Sequence, residues 1–156
     1  MNIQVVYGTI SGHSRKIAKA IADALNAGCE DIKNNPMLTG VDLLFVIGGV
    51  YGSKYNEKIV AYMENINANQ VKKVALIRSA VSQTAIQKEN PLVELLQKKQ
   101  IEVEKEEYTC RGSFLFMGCG HPNKAEIEKA VQFAKRVAAS KMIGPKIQQA
   151  FTEYLK

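Results

Sequence analysis

The feature that most constrains the fold is a repeated alternation between short apolar runs and longer amphipathic stretches. Ile3–Tyr7, Asp42–Gly48 and Lys73–Ser79 each contain an apolar run of strand length, and unbroken runs are typical of strands buried on both faces. In Ser14–Asn26 the apolar residues recur instead with the spacing of one helix face. This alternation predicts a parallel sheet with helices on both faces.

The rest of the chain continues the alternation. The further predicted elements are a strand at Cys29–Lys33, helices at Asn56–Ile66 and from Asn90, an edge strand at Ile101–Cys110, a long helix from Asn123 and a helical tail at Pro145–Leu155. Asn56 and Asn90 are predicted N-caps, and Pro91 suits a first helical position. Because such crossovers are right-handed, a doubly wound α/β sheet is the leading architecture, and its ligands bind beyond the carboxyl ends of the strands.

Length and composition indicate a single domain over residues 1–156. The chain is 46% hydrophobic and 23% charged, as in globular rather than disordered proteins. No apolar run reaches the roughly 20 residues that a membrane helix needs. The N-terminus begins with a strand-like run and lacks the basic and apolar regions of a signal peptide, which predicts a cytoplasmic protein.

The cysteines and histidines form no recognisable metal-binding pattern. Cys29, Cys110 and Cys119 are too few and too unevenly spaced for a disulfide framework or a zinc site. His13 and His121 add no standard ligand spacing. We therefore predict neither a metal site nor an iron–sulfur cluster.

The net charge of +6 is compatible with nucleic acid or an acidic protein as partner. The lysines are spread along the chain rather than clustered, and no nucleic-acid-binding motif is present. These observations favour a solvated, lysine-rich surface over a nucleic-acid-binding one.

The first candidate site is the loop Gly8–Ser14, which is rich in hydroxyl groups and small residues. Backbone N–H groups at a helix N-terminus favour an anion, and the hydroxyl groups of Thr9, Ser11 and Ser14 can donate to phosphate oxygens. The loop lacks the lysine of triphosphate-binding loops and the glycine pattern of dinucleotide-binding loops, so it suits a phosphate monoester held by neutral donors. Taken alone, it equally suits a plain turn with Ser11 or Ser14 as N-cap.

Three further loops follow strands. Gly48–Tyr55 combines glycines with Tyr51, which could stack on a flat ring or cover the sheet edge, whereas Tyr55 suits packing or the surface. Ser79–Thr84 has small side chains that allow close approach by a ligand or form a simple connection. Cys110–Pro122 is long and apolar in its middle, as functional loops often are.

These segments resemble the flavodoxin family. Its signature is a strand that ends in an aromatic residue, a [ST]-x-[ST]-G-x-[ST] loop, and a helix that carries alanine. Val5–Tyr7 and the alanine-rich stretch from Lys16 match the strand and the helix. The loop positions are occupied by Thr9, Ser11, Gly12 and Ser14. Ile47–Gly52 resembles the family's ring-flanking loop, and Gly112–Asn123 resembles a bacterial branch of flavodoxin domains.

The resemblance implies a five-stranded parallel sheet of order 2-1-3-4-5 and one bound FMN. The residues that would hold the phosphate are Thr9, Ile10, Ser11, Gly12, His13 and Ser14, with His13 expected to face solvent or to cap the loop. The residues that would flank the isoalloxazine ring are Gly49, Val50, Tyr51 and Gly52 on one side and Ala80, Val81 and Ser82 on the other. The Tyr51–Gly52 peptide would form a hydrogen bond with the reduced ring.

Two features depart from the family pattern. Electron-carrying flavodoxins are usually strongly acidic, whereas this chain is basic, which implies a different partner or potential. The loop after the fourth strand lacks the aromatic residue that often stacks on the flavin, a role that Phe114 or Phe116 could take.

The predicted function is electron transfer by bound FMN to a partner redox protein, one with an acidic surface. The alternative is a small FMN-dependent reductase that acts directly on a quinone or tetrapyrrole. No acid–base pair or activated nucleophile is evident in the sequence, which suits a protein whose cofactor carries the chemistry. A phosphoacceptor receiver domain shares the fold but needs acidic residues where this chain has Tyr7-Gly8 and Gly48-Gly49.

Overall fold

Strands and helices alternate in the computed structural model, which describes residues 1–9, 12–51, 54–80, 89–111 and 124–142. The helices are α1 (His13–Leu25), α2 (Glu57–Glu64), α3 (Pro91–Lys98) and α4 (Lys124–Met142). The strands are β1 (Ile3–Tyr7), β2 (Gly28–Asp31), β3 (Val41–Tyr51), β4 (Lys54–Tyr55), β5 (Val71–Ala80), β6 (Glu102–Val103) and β7 (Tyr108–Arg111).

The sheet has the predicted parallel topology. Its strand order is β2-β1-β3-β5-β6, and β7 also pairs in parallel with β5. Because β6 and β7 share one edge of β5, together they form the fifth parallel position. The predicted order 2-1-3-4-5 is therefore confirmed, with β4 added as a short antiparallel partner of β3.

Two apolar layers cover the sheet. Alternate residues of β3 enter opposite layers: Phe45 and Ile47 pack with α1 and α4, whereas Leu44 and Val46 pack with α2 and α3. All four side chains are fully buried. This two-sided burial explains why the strand has a continuous apolar sequence rather than an alternating one.

Two strand predictions were wrong in extent. β3 continues three residues past the predicted end at Gly48, because Gly49 and Val50 still pair with β5 and Tyr51 pairs with β4. The predicted edge strand Ile101–Cys110 is divided into β6 and β7. A glycine pair does not end a strand whose neighbours still supply hydrogen bonds, and charged residues at an edge are free to leave the ladder.

Smaller differences occur at other element ends. Where a strand was predicted over Cys29–Lys33, β2 ends at Asp31 and a 3₁₀ turn follows at Ile32–Asn34. Asn56 and Asn90 cap α2 and α3 as predicted, since each side chain accepts a backbone N–H of the first turn. The predicted cap Asn123 and the helical tail from Pro145 lie outside the described residues. No helix within the described ranges combines the length and the apolarity needed to cross a membrane.

Candidate functional site

The carboxyl ends of β1, β3 and β5 lie side by side at one edge of the sheet. Tyr7 pairs with Ile47, and Gly49 pairs with Ser79. The Gly8 N–H donates to the Ile47 carbonyl at 3.1 Å, which holds the start of the first loop against β3. The three predicted site segments therefore begin at neighbouring positions of this edge.

The first loop turns into α1 through a glycine in a left-handed conformation. Gly12 has φ 88° and occupies the N-cap position of α1. The Thr9 Oγ1 accepts the Gly12 N–H at 2.7 Å. Ile10 and Ser11, two predicted site residues, lie outside the described ranges. The alternative in which Ser11 or Ser14 is the N-cap is wrong, because the N-cap of α1 is Gly12. Glycine suits this position since it lacks the Cβ that disfavours a φ of 88°.

The N-terminus of α1 carries positive charge and no compensating group. No described side chain caps it, and its first turn has no acidic residue. Arg15 and Lys16 are exposed on this turn. Cations at a helix N-terminus oppose the helix dipole, whereas an anion placed there interacts favourably with both. Sequence reasoning missed these two residues, although their positions just after a predicted helix start were readable.

Ser14 connects α1 to β5. Its side chain is buried, and its Oγ lies 3.5 Å from the Oγ of Ser79. This contact between the two hydroxyl groups joins the start of α1 to the end of β5. Ser79 was not predicted as a site residue, although it is the first residue of the predicted third loop.

His13 is less exposed than predicted. It is half-buried, and its Nδ1 lies inside the protein. Burial lowers the pKa of the imidazole, and the nearby charge of Lys16 lowers it further. His13 therefore favours its neutral form at neutral pH and adds a polar ring, rather than a third positive charge, to the start of α1.

The second loop is a hairpin. Val50 pairs with Tyr55, and Tyr51 pairs with Lys54. Gly52 and Ser53, between these strands, lie outside the described residues. Val50 and Tyr55 are buried in the α2–α3 layer.

Gly48 permits close packing below this hairpin. A Cβ at Gly48 would lie 2.5 Å from both Ile59 Cδ1 and the Tyr55 hydroxyl oxygen. A glycine is thus needed for α2 and the hairpin to approach β3 this closely.

The third and fourth loops are described only at their first residues. β5 ends at Ala80, which pairs with Val50 and Arg111. The predicted site residues Val81 and Ser82 lie outside the described ranges, as does the apolar segment from Gly112. The structure thus brings together the starts of all three predicted site segments, and the assignment of individual contacts to a ligand stays a prediction.

Comparisons with known proteins agree with this architecture. An uncharacterized protein of Methanocaldococcus jannaschii is 29% identical over 148 residues, which cover 88% of this chain and 98% of that protein. Oxidised Flavodoxin 1 from Bacillus cereus superposes with a TM-score of 0.65 at 19% identity, over 86% of this chain and 95% of that one. The NAD(P)H:quinone oxidoreductase from Methanothermobacter marburgensis gives 0.64 at 13% identity, over 88% and 98%.

The sequence match is more specific than these structural likenesses, which at such identities show the fold alone. The family described as "Flavodoxin domain" matches residues 4–137, a span that contains the first loop, the hairpin and the end of β5. This chain belongs to the flavodoxin domain family.

Proposed function

We propose that this protein binds FMN at the carboxyl edge of its sheet and transfers electrons between the flavin and a partner redox protein. The observation that carries the proposal is the start of α1. It is an uncapped helix N-terminus with exposed basic residues, at the position where the family's signature loop occurs. An FMN phosphate supplies the anion that this helix start lacks.

The phosphate end of the site is formed by the loop and the first turn of α1. The residues assigned to it are Thr9, Ile10, Ser11, Gly12, His13 and Ser14, joined now by Arg15 and Lys16. The Thr9–Gly12 hydrogen bond shapes the loop, so that its backbone N–H groups can converge on one phosphate. The Ser14 hydroxyl lies beside that of Ser79, which restricts its position at the phosphate end of the site.

The ring end of the site is formed by the hairpin and the end of β5. The residues assigned to it are Gly49, Val50, Tyr51, Gly52, Ala80, Val81 and Ser82. Because the Val50 side chain is buried in the core, its contact with the ring comes from its backbone. Tyr51 offers an aromatic face, and the Tyr51–Gly52 peptide offers a backbone group that can form a hydrogen bond with the ring.

Bound FMN supplies the redox chemistry, since its ring accepts and releases electrons. The protein holds the phosphate, orients the ring and shields it from water on the side of the sheet. Its buried carboxyl-edge packing, including Ser14 and Ser79, keeps these positions fixed.

An acidic surface is the partner chemistry that the charge distribution favours. Helices α1 and α4 together carry eight basic and three acidic residues, whereas α2 and α3 together carry two basic and three acidic residues. The positive charge is thus concentrated on one layer, and that layer adjoins the phosphate end of the site. Reversing Lys129 and Lys135 to Glu should slow reduction by an acidic donor protein and leave reduction by a neutral mediator unchanged.

The direct test is a flavin-binding experiment. The purified protein is mixed with FMN, desalted and examined for the flavin's visible absorption, and the affinity is measured by quenching of FMN fluorescence. Retained absorption with saturable quenching supports the proposal. A protein that stays colourless after desalting, and does not quench FMN fluorescence at micromolar concentrations, overturns it.

A second function is favoured by the similarity to the NAD(P)H:quinone oxidoreductase from Methanothermobacter marburgensis. In this alternative the flavin passes electrons directly to a quinone or tetrapyrrole. Steady-state oxidation of NAD(P)H that requires both FMN and a quinone supports the reductase. Rapid electron exchange with a protein partner, without turnover of NAD(P)H, supports the carrier.

A further inference from the structure

A buried polar cluster lies on the α2–α3 side of the sheet, at the roots of the two segments assigned to the flavin ring. Arg78 on β5, Glu107 before β7, Asn90 at the start of α3 and Tyr55 at the end of β4 form it, and we name it the Arg78 cluster. Arg78 is 5% exposed and Asn90 is 1% exposed. A guanidinium removed from water to this extent requires a closely matched partner.

Glu107 provides that match. Its Oε1 lies 2.9 Å from Arg78 Nε in an ion pair and accepts from Asn90 Nδ2 at 3.0 Å, and its Oε2 accepts from Arg78 Nη2 at 3.3 Å. The Asn90 Oδ1 in turn accepts the Leu92 N–H that begins α3. A charge-assisted hydrogen bond together with an ion pair holds Arg78 close to this carboxylate. The position of α3 is therefore tied to β5 through a single carboxylate.

A bulge in the edge of the sheet places Glu107 there. Val103 pairs with Val74, and the next pair along the edge joins Tyr108 to Ile77. Four residues on the edge thus span two on β5, and the extra length forms a bulge that carries Glu107. The division of the predicted edge strand is the structural source of this ion pair.

Tyr55 brings the hairpin into the same cluster. Burial, the main cause, raises the pKa of its hydroxyl, which lies near the Asn90 side chain but forms no hydrogen bond in the described part of the structure. Tyr55 pairs with Val50 in the hairpin, and Gly48 leaves the space that its hydroxyl occupies. The cluster therefore contacts both segments: the hairpin through Tyr55, and the β5–α3 connection at its two ends through Arg78 and Asn90.

We propose that the Arg78 cluster is a positioning element that holds the two ends of the β5–α3 connection together, and thereby positions the residues at the end of β5 that are assigned to the isoalloxazine ring. The inference rests on the proposed FMN function. Its residues act through the backbone of Val50 and Ala80 and do not touch the flavin. Loss of the cluster should weaken binding of the ring and leave recognition of the phosphate intact.

A second ion pair on the same strand supplies a matched control. Lys73 on β5 lies 2.9 Å from Glu104 of the bulge, and the Lys73 side chain is 11% exposed. This pair also joins β5 to the edge, but it lies toward the opposite end of the strand. Lys73 also pairs with Glu102 at 3.6 Å, so this control tests the loss of an ion pair between β5 and the edge at a distance from the ring segments.

The experiment compares FMN with riboflavin, which has the same ring and no phosphate. The double variant Arg78→Met/Glu107→Leu removes both buried charges together, because removing one alone leaves the other uncompensated. Dissociation constants are measured by fluorescence quenching for this variant, for Lys73→Met/Glu104→Leu and for the wild type. Visible-region circular dichroism of the bound flavin reports the ring environment, and urea unfolding of the ligand-free proteins reports the fold.

We expect Arg78→Met/Glu107→Leu to weaken FMN and riboflavin by the same factor, about tenfold, with an altered dichroism spectrum. Lys73→Met/Glu104→Leu should bind both flavins as the wild type does. A folded Arg78→Met/Glu107→Leu protein with wild-type affinity and dichroism overturns the inference. A wild-type protein that binds neither flavin overturns the proposed function and this inference with it.

Tyr55→Phe provides a milder variant where the double substitution prevents folding. It deletes one hydroxyl from the cluster, and Tyr62→Phe is its control, since the Tyr62 hydroxyl donates to the Pro36 carbonyl far from the ring segments. Weaker riboflavin binding in Tyr55→Phe alone supports the positioning role. Equal affinities in the two variants contradict it.

Discussion

The starts of α1 and α3 lie at the same edge of the sheet but differ in how their first backbone N–H groups are capped. α3 is capped by the buried Asn90 and has Glu94 in its first turn. α1 begins at Gly12 without a side-chain cap or an acidic residue. The start of α2 resembles that of α3, since the Asn56 side chain caps it and its first turn contains the acidic Glu57. Among the described residues, side chains thus satisfy two of these helix starts, whereas none caps α1, whose N-terminus is suited to an external anion.

This contrast separates stability from binding. Residues that cap α2 and α3 should contribute to the free energy of unfolding, with or without a ligand. Residues at the start of α1 should contribute chiefly to affinity for a phosphate. The variants that follow test this division, from the largest expected effect to the smallest.

Replacing Asn90 with Ala should have the largest effect. It removes the cap of α3 and leaves the partly buried Glu107 without one of its donors, so we expect a loss of about 3 kcal/mol in the free energy of unfolding. Urea denaturation of the ligand-free protein measures it. Asn65→Ala, at an exposed position, is the control. A loss below about 1 kcal/mol would mean that the cap contributes little.

Gly12→Ala should cost about 1–2 kcal/mol, because its φ of 88° is unfavourable for a residue with a Cβ. The same change should weaken FMN binding, since relief of the strain would open the turn that Thr9 closes. Gly12→Asn is the matched variant, because asparagine tolerates this conformation better than alanine. If the two variants unfold at the same urea concentration, backbone strain at Gly12 is not the cause.

Arg15→Glu/Lys16→Glu should change stability and binding in opposite directions. Acidic residues suit a helix N-terminus, so the ligand-free protein should gain about 0.5–1 kcal/mol. FMN affinity should fall about tenfold, whereas riboflavin affinity stays unchanged. Lys58→Glu on the first turn of α2 is the control, and it should leave FMN affinity at the wild-type value. Equal losses for FMN and riboflavin would place these residues away from the phosphate.

The fold was predictable wherever one pattern determined the outcome. The buried runs before Gly48 and Ser79 had no alternative to a two-sided strand, and Asn90-Pro91 specified a helix start through two independent preferences. The extent of β3 was not predictable from local residues, because Gly49 and Val50 are held in the ladder by β5, a partner distant in sequence.

The neighbouring positions of the candidate site segments were predictable, but the contacts that support them were not. The order of strands and loops determined that Thr9, Gly49 and Ala80 would start neighbouring segments. The pairing of Arg78 with Glu107 depends on a two-residue bulge, and no pattern in an acidic stretch specifies where a ladder breaks. The basic residues of α1 were visible in the sequence, but their meaning required the uncapped helix start.

His13 gives the smallest and most local test of the uncapped start. Its pKa is lowered in the folded protein, first by burial and then by Lys16, so the unfolded chain binds more protons as the pH falls below about 6.5. Stability of the ligand-free protein should therefore decrease on acidification through this range and level off below the folded pKa. Urea unfolding of wild type and His13→Asn between pH 7 and 5 isolates the contribution. A bound phosphate would stabilise the imidazolium and so raise the pKa of His13 toward its unfolded value. With FMN, the stability of the wild type should therefore depend less on pH and approach the pH dependence of His13→Asn. An identical pH dependence in the two proteins, without ligand, would show that His13 is solvated and takes no part in the site.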